Sequence, residues 1–178
     1  SKPWVMREAI GAGAGMINDV MALREEGAPD VLADARDIAV CLMHMQGRPR
    51  SMQQNPIYGD VVAEVQAFLL ERAQTCRSRG IDAARIVLDP GFGFGKLLEH
   101  NVALLKNIDL LAASGYPLLA GISRKSMIGQ LLGDAPVERR LSGSVAAAVI
   151  AAMGGASILR VHDVRETADA MKIVKALL

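Results

Sequence analysis

The sequence predicts an α/β domain in which βα units surround a parallel sheet, and three observations carry that prediction. Short runs rich in Val, Ile and Leu alternate with longer stretches of helical periodicity, the pattern of repeated βα units. The runs are nearly continuously apolar, as strands covered on both faces are. Each run also ends in polar or ionisable residues, and in parallel sheets and barrels the ligand sits at the carboxyl ends of the strands. With 178 residues and 51% hydrophobic content, the chain has material for a core.

Taken in order, strands are predicted at 15–18, 38–43, 85–89, 117–122 and 157–162, and helices at 2–12, 27–35, 60–79, 99–114, 125–132, 137–153 and 165–178. In the third helix Val61, Val65, Phe68, Leu69 and Arg72 recur at the spacing of one buried face. Gly80, Gly115 and Gly133 stand where helices end. Asp163-Val164-Arg165-Glu166 has the Asp-x-x-Glu layout of a capping box, so the last strand is expected to turn directly into the last helix. The stretch 46–56, with Pro49 and Pro56, reads as the only long loop.

A net charge of +1, with both signs interspersed, excludes the broad basic face of a nucleic-acid binder and leaves small ligands as the expected partners. Cys41 and Cys76 lie far apart, in neither a CxxC nor a zinc spacing, which argues against a disulfide or zinc scaffold and favours a reducing cytoplasm. The longest uncharged apolar run, 145–156, contains Gly154 and Gly155 and falls short of the roughly 20 residues that span a bilayer. It reads as a buried helix, so no membrane partner is expected. The chain opens at Ser1-Lys2-Pro3 without an initiator Met or a leader pattern, which reads as a cut inside a longer protein.

The strand ends are Asn18-Asp19, Met43-His44-Met45, Asp89-Pro90-Gly91, Ser123-Arg124-Lys125-Ser126 and Arg160-Val161-His162-Asp163. Asp89 alternates with Val87, so with Val87 in the core the carboxylate points inward at the rim. There it either accepts paired hydrogen bonds from a heterocycle or caps the following glycine turn. Gly91-Phe92-Gly93-Phe94-Gly95-Lys96 is neither GxxxxGK[ST] nor GxGxxG, so it is a weak nucleotide signal. Its glycines let backbone approach a flat ligand on which Phe94 can stack; alternatively both aromatics plug the loop.

Residues 123–126 open a helix at a strand end, a ready anion site for a carboxylate or phosphate; the alternative is a Ser cap followed by surface cations. Arg160 and His162 are two apart and share a strand face, opposite Leu159 and Val161. Together they suggest a phosphate or pyrophosphate clamp, unless the guanidinium pairs with Asp163 or Asp89. His44 reads as a packed strand-end residue and His100 as a solvated helix residue, neither with a chemical role. The sequence shows no HExxH, no carboxylate cluster at metal-ligand spacing and no Ser-His or Cys-His nucleophile pair.

Six stretches in order carry a resemblance over the whole chain: Ile17-Asn18-Asp19-Val20, Cys41-Leu42-Met43-His44-Met45-Gln46-Gly47, Leu88-Asp89-Pro90-Gly91-Phe92-Gly93-Phe94-Gly95-Lys96, Ser123-Arg124-Lys125-Ser126-Met127-Ile128-Gly129, residues 139–144, and Arg160-Val161-His162-Asp163-Val164. The Asp89 and Ser123 motifs are the most specific. Together they resemble the bacterial dihydropteroate synthases, the pterin-binding enzyme family of folate biosynthesis. The resemblance implies a (β/α)8 TIM barrel that joins 6-hydroxymethyl-7,8-dihydropterin diphosphate to 4-aminobenzoate, with magnesium on the departing pyrophosphate.

By that resemblance Asn18, Met43, Asp89 and Lys125 hold the pterin, and Asn18, Arg160 and His162 approach the pyrophosphate. Gly93, Phe94, Lys125 and Ser126 border the aminobenzoate and the sulfonamides that mimic it, the carboxylate resting on a helix N-terminus. Lys125, Arg160 and His162 are the catalytic candidates. The resemblance also implies a homodimer through the late helices and a cytoplasmic enzyme.

An eight-unit barrel runs to about 250 residues, whereas 178 residues hold five strand runs. The chain is therefore expected to be the C-terminal portion of one barrel domain, inactive alone. Three earlier units, with a magnesium-binding Asn in an Asn-Val-Thr-Pro-Asp-Ser-Phe-like loop, are expected to precede it. Two other readings of the same residues are a pterin-binding methyltetrahydrofolate methyltransferase and a non-catalytic pterin-binding fragment.

Overall fold

The computed structural model of the chain describes residues 1–47 and 52–177; Pro49 of the predicted loop lies outside them. Five short strands alternate with helices, and every pairing is parallel. The elements are α1 (Pro3–Gly11), β1 (Met16–Asp19), α2 (Ala28–Asp34), β2 (Ala39–Met43), α3 (Val61–Ser78), β3 (Ile86–Asp89), α4 (Leu98–Lys106), α5 (Ile108–Ala112), β4 (Leu119–Ala120), α6 (Ser126–Leu131), α7 (Leu141–Met153), β5 (Ile158–Leu159) and α8 (Val164–Leu177). The strand order is β1-β2-β3 in one sheet and β4-β5 in the next. A parallel bridge, Leu88 to Leu118, joins the two.

Register separates two apolar faces. Val40, Leu42, Ile86, Leu88 and Ala120 join the main core with the helices, including Val65 and Leu69 of α3. Cys41, Val87 and Leu119 form a small second cluster on the opposite face, with Met16 and Ile158 against it. Both faces of each central strand are thereby buried, which is why the runs read as continuously apolar. Among the described residues β1 pairs only with β2 and β5 only with β4, so each presents an unpaired edge.

Local chemistry explains most element ends. Asp60 caps α3, its Oδ1 accepting from the Val62 and Ala63 amides at 3.0 and 3.1 Å, while Glu64 accepts from the Asp60 amide. Arg72, at the edge of the same face, donates its guanidinium to the carbonyls of the buried Ala22 and Leu23. Gly80, Gly115 and Gly133 follow helix ends, as expected.

Three helical expectations are corrected. The helix predicted over 99–114 is two, α4 and α5, because the Asn107 side chain donates to the Ala103 carbonyl at 2.9 Å and breaks the run. The helix predicted from 137 begins as a 3-10 turn, Val137–Arg139; α7 starts only at Leu141, where Arg140 leaves to bond the Ala135 and Arg124 carbonyls. The 145–156 run is not fully buried: Ile150 and Met153 are 52% and 62% exposed, since α7 packs against α8 on one side only. The last two strands are also shorter than predicted, at two residues each, because the pairing between them stops after Ala120 and Leu159.

Among the described residues no helix is long and apolar enough to cross a membrane. Leu88 is 1% exposed between β2 and the bridge to Leu118. Leu88→Ala is expected to lower stability by about 2–5 kcal/mol, read as a lower urea midpoint with an unchanged slope.

Candidate active site

The carboxyl ends of the strands meet on one rim. Register places Met43 beside Asp89 and Asn18 beside Cys41, and alternation sets Asn18, Met43 and Asp89 on the side of the Cys41–Val87–Leu119 cluster. Met43 is buried there, whereas Asn18 is exposed. Asp89 is 6% exposed, and its Oδ1 accepts from the Gly91 amide at 2.7 Å. Among the described residues Oδ2 takes no hydrogen bond. The carboxylate thus caps the glycine turn with one oxygen and leaves the other without a protein donor among the described residues. Burial raises its affinity for a proton, while the Gly91 amide, Lys125, Lys96 and Arg160 oppose that rise.

The 91–95 loop lies against the end of β2. A Cβ on Gly91 would fall 1.9 Å from the His44 carbonyl oxygen, and one on Gly95 would fall 2.5 Å from that of Gln46. With φ of +66° and +64°, these two positions require glycine. All five carbonyls of the loop accept from side chains. Lys96 Nζ reaches Gly91 and Phe94 at 3.0 and 3.1 Å, Lys125 reaches Phe92, Gln53 reaches Gly93, and the Tyr58 hydroxyl reaches Gly95 at 2.7 Å. The Gly93 amide donates to Asn101 Oδ1 at 2.7 Å. Phe92 is fully buried and plugs the loop, but Phe94 is half-buried with Lys125 Nζ 4.6 Å from its ring centre.

His44 is packed as expected, buried with its ring edge-on to Phe68 at 4.9 Å. Its Nδ1 lies 2.9 Å from Lys96 Nζ. Burial, helped by Lys96 and Arg24, pushes the imidazole down to about 3, so it stays neutral. Burial also brings the Lys96 ammonium down to about 7, against the pull of Asp89. His100 is not the solvated residue expected: it is half-buried, accepts from the Leu97 amide at 3.1 Å and packs on Tyr58.

Opposite the loop, residues 123–126 form the second wall. Arg124 has a φ of +56° and donates to Asp163 twice, at 2.9 and 2.6 Å. The Asp163 carboxylate is thus an ion-pair partner and not the helix cap expected of it, nor is it the partner of Arg160. Ser123 does not cap α6, whose N-cap is Lys125 with no side-chain cap bond. The Lys125 ammonium is brought down to about 8 by burial, with Asp89 opposing and Arg160 adding to the fall. Ser126 is exposed at the first residue of α6.

Arg160 and His162 are both exposed and line a cavity of about 400 Å³ with Ser123, Arg124 and Lys125, within the range of small-molecule pockets. Val161 lines it as well, because β5 ends at Leu159 and strand alternation stops there. The expectation of no Ser-His pair is corrected, since His162 Nδ1 lies 3.1 Å from Ser123 Oγ. The same hydroxyl accepts from the His162 amide at 3.2 Å, and Asp163 is engaged by Arg124, so the pair joins two strand ends and forms no triad.

Among the described residues no three His, Cys, Asp or Glu side chains cluster as a metal cage. Sequence reasoning missed Lys96, Asn101, Tyr58 and Ser144. Ser144 Oγ accepts the Arg124 amide at 2.9 Å. Lys96 carried a signal as the last residue of the glycine motif, and Ser144 as the last residue of the 139–144 stretch.

The chain matches the family described as pterin binding enzyme over residues 1–162. It is 53% identical to the dihydropteroate synthase of Escherichia coli (strain K12) over 178 residues, covering all of this chain and 62% of that protein. Among solved structures it resembles the Xanthomonas albilineans dihydropteroate synthase in complex with 7,8-dihydropteroate, with 52% identity and a TM-score of 0.92 over 99% of this chain and 64% of that one. The same enzyme with 4-aminobenzoic acid gives 52% and 0.92, over 99% and 62%. The Yersinia pestis dihydropteroate synthase with a sulfonamide drug complex gives 50% and 0.96, over 99% and 64%. The chain thus spans about 62% of the curated relative's length. A rim holding a buried aspartate, a saturated glycine loop and a cation wall, on a sequence matched from residue 1 to 162, places this chain in the pterin binding enzyme family.

Proposed function

We propose that the chain is the C-terminal portion of a single (β/α)8-barrel dihydropteroate synthase, its two unpaired strand edges covered by three further βα units. The reaction joins 6-hydroxymethyl-7,8-dihydropterin diphosphate to 4-aminobenzoate and releases pyrophosphate. The observation that carries this reading is the buried Asp89 carboxylate, with one oxygen on Gly91 and the other without a partner among the described residues, facing the cations Lys125 and Arg160. A carboxylate so placed suits the adjacent N–H and NH2 donors of a pterin. The relatives solved with dihydropteroate, 4-aminobenzoic acid and a sulfonamide support the same substrates and inhibitors here.

In this reading Asp89 and Asn18 take the pterin ring, Met43 lines its slot and Lys125 donates to it. As the methylene C–O bond breaks, its electron pair leaves with the pyrophosphate, and Arg160 and His162 meet that charge. Positive charge on the pterin is opposed by Asp89. The neutral amine nitrogen of aminobenzoate then bonds the methylene carbon, and the acidic ammonium so formed releases one proton to solvent, so no strong base is needed. Gly93, Phe94 and Ser126 border this second substrate, and sulfonamides would occupy the same wall. Magnesium, when bound, would neutralise pyrophosphate charge. Cytoplasm is the proposed compartment, consistent with the free, buried Cys41 and Cys76.

Asp89→Asn, Lys125→Ala and Arg160→Ala, made in the full-length protein, are each expected to cut dihydropteroate formation by at least about 10²-fold while leaving the fold intact. Undiminished turnover in all three refutes the assignment.

A homodimer is proposed through α7 and α8. Val149, Met153, Ile173 and Leu177 line an apolar groove between these helices, and Met153 and Ile173 are 62% and 64% exposed. Light scattering is expected to give twice the monomer mass, and Ile173→Glu to give the monomer. A monomeric wild-type protein contradicts this arrangement.

A further inference from the structure

We propose that Lys96 is a positioning residue for both substrates, acting through the 91–95 loop; the proposal rests on the dihydropteroate synthase reading. Its side chain is 3% exposed. An ammonium has three N–H groups, and Lys96 has three acceptors: the Gly91 carbonyl at 3.0 Å, the Phe94 carbonyl at 3.1 Å and His44 Nδ1 at 2.9 Å. Every donor is used, with none left over for a ligand.

The placing of these acceptors gives the role. Gly91 and Phe94 are the two ends of one tight turn, already closed by the Phe94 amide on the Gly91 carbonyl at 3.0 Å. Lys96 bridges both ends, so it sets the Gly91 amide that orients Asp89 and the backbone that carries the Phe94 ring beneath Lys125. The third bond ties the turn to His44, one residue beyond Met43 at the end of β2. Asn101 holds the middle of the loop through the Gly93 amide and also accepts no ligand, its Nδ2 donating to the Lys96 and Leu97 carbonyls.

Stability alone does not call for an ammonium here. Burying one is costly, and an apolar side chain of like length fills the same space without that cost. Directed donors are what a methionine would lack: the Phe94 carbonyl would lose its Lys96 donor, and the Gly91 carbonyl would keep only the Phe94 amide. His44 completes the arrangement as an acceptor: with Lys96 charged, its proton sits on Nε2, and a ring that stays neutral keeps Nδ1 open.

The test compares wild type, Lys96→Met and Lys96→Arg in the full-length protein, with the folded fraction measured by thermal unfolding. Calorimetry gives the Kd of 6-hydroxymethyl-7,8-dihydropterin diphosphate, and steady-state kinetics give kcat and both KM values. Lys96→Met is expected to raise Kd and both KM values about tenfold, as loss of one well-made buried hydrogen-bond set does, with kcat per folded molecule changing less. Lys96→Arg is expected to recover part of the loss. Unchanged Kd and KM in Lys96→Met, with activity falling only as the folded fraction falls, would overturn the proposal. So would the failure of both variants to fold, since Lys96 would then belong to the core alone. A wild-type protein that neither binds the pterin diphosphate nor makes dihydropteroate refutes the functional reading and leaves these outcomes distinct.

Discussion

Buried carbonyl groups need donors, and the 91–95 loop meets that need with side chains where a strand would use a ladder. Lys96, Lys125, Gln53 and Tyr58 reach it from four places in the chain. The loop can lie this close to β2 only because Gly91 and Gly95 lack a Cβ. That contact brings Met43, Asp89 and Phe94 to one rim. The rest of the site follows, because Lys125 is both a donor to this loop and the cation beside Asp89.

The facing wall depends on a strained residue. Holding Arg124 at a φ of +56° costs about 1–3 kcal/mol, and four hydrogen bonds to three partners oppose that cost. Asp163 takes its guanidinium at 2.6 and 2.9 Å, Ser144 accepts its amide and Arg140 donates to its carbonyl. The turn so produced aims Lys125 across the rim at the 91–95 loop. Ser123 and His162 tie the ends of β4 and β5 together on the same side.

Much of this was legible before any coordinates. The five strand runs, the parallel pairing implied by their apolar continuity and the rim residues Asn18, Met43, Asp89 and Lys125 all follow from periodicity and from where polar residues interrupt it. Helix interiors were equally clear at α3, where one face repeats. What failed were places where a side chain competes with the backbone. Asn107 splits a helix by bonding back to Ala103, and Arg140 delays another by leaving to bond Ala135 and Arg124. Asp163 has the spacing of a cap, yet a guanidinium 39 residues away in sequence claims it.

The sequence by itself determined the βα alternation and the polar residue types at each strand end, since these depend on spacing between near neighbours, and its six motifs carried the family resemblance. Only the tertiary structure decided what each polar group does. Lys96 and Lys125 are both lysines after an apolar strand, but one lies 3% exposed with three acceptors and the other stands beside the cavity. Arg124 and Arg160 look alike in sequence, yet one is committed to Asp163 and the other stands exposed with no ion pair among the described residues. Hydrogen bonds between residues tens of positions apart settle those roles, because a donor is spent or free according to the acceptors that folding brings within about 3 Å, and no local pattern records them.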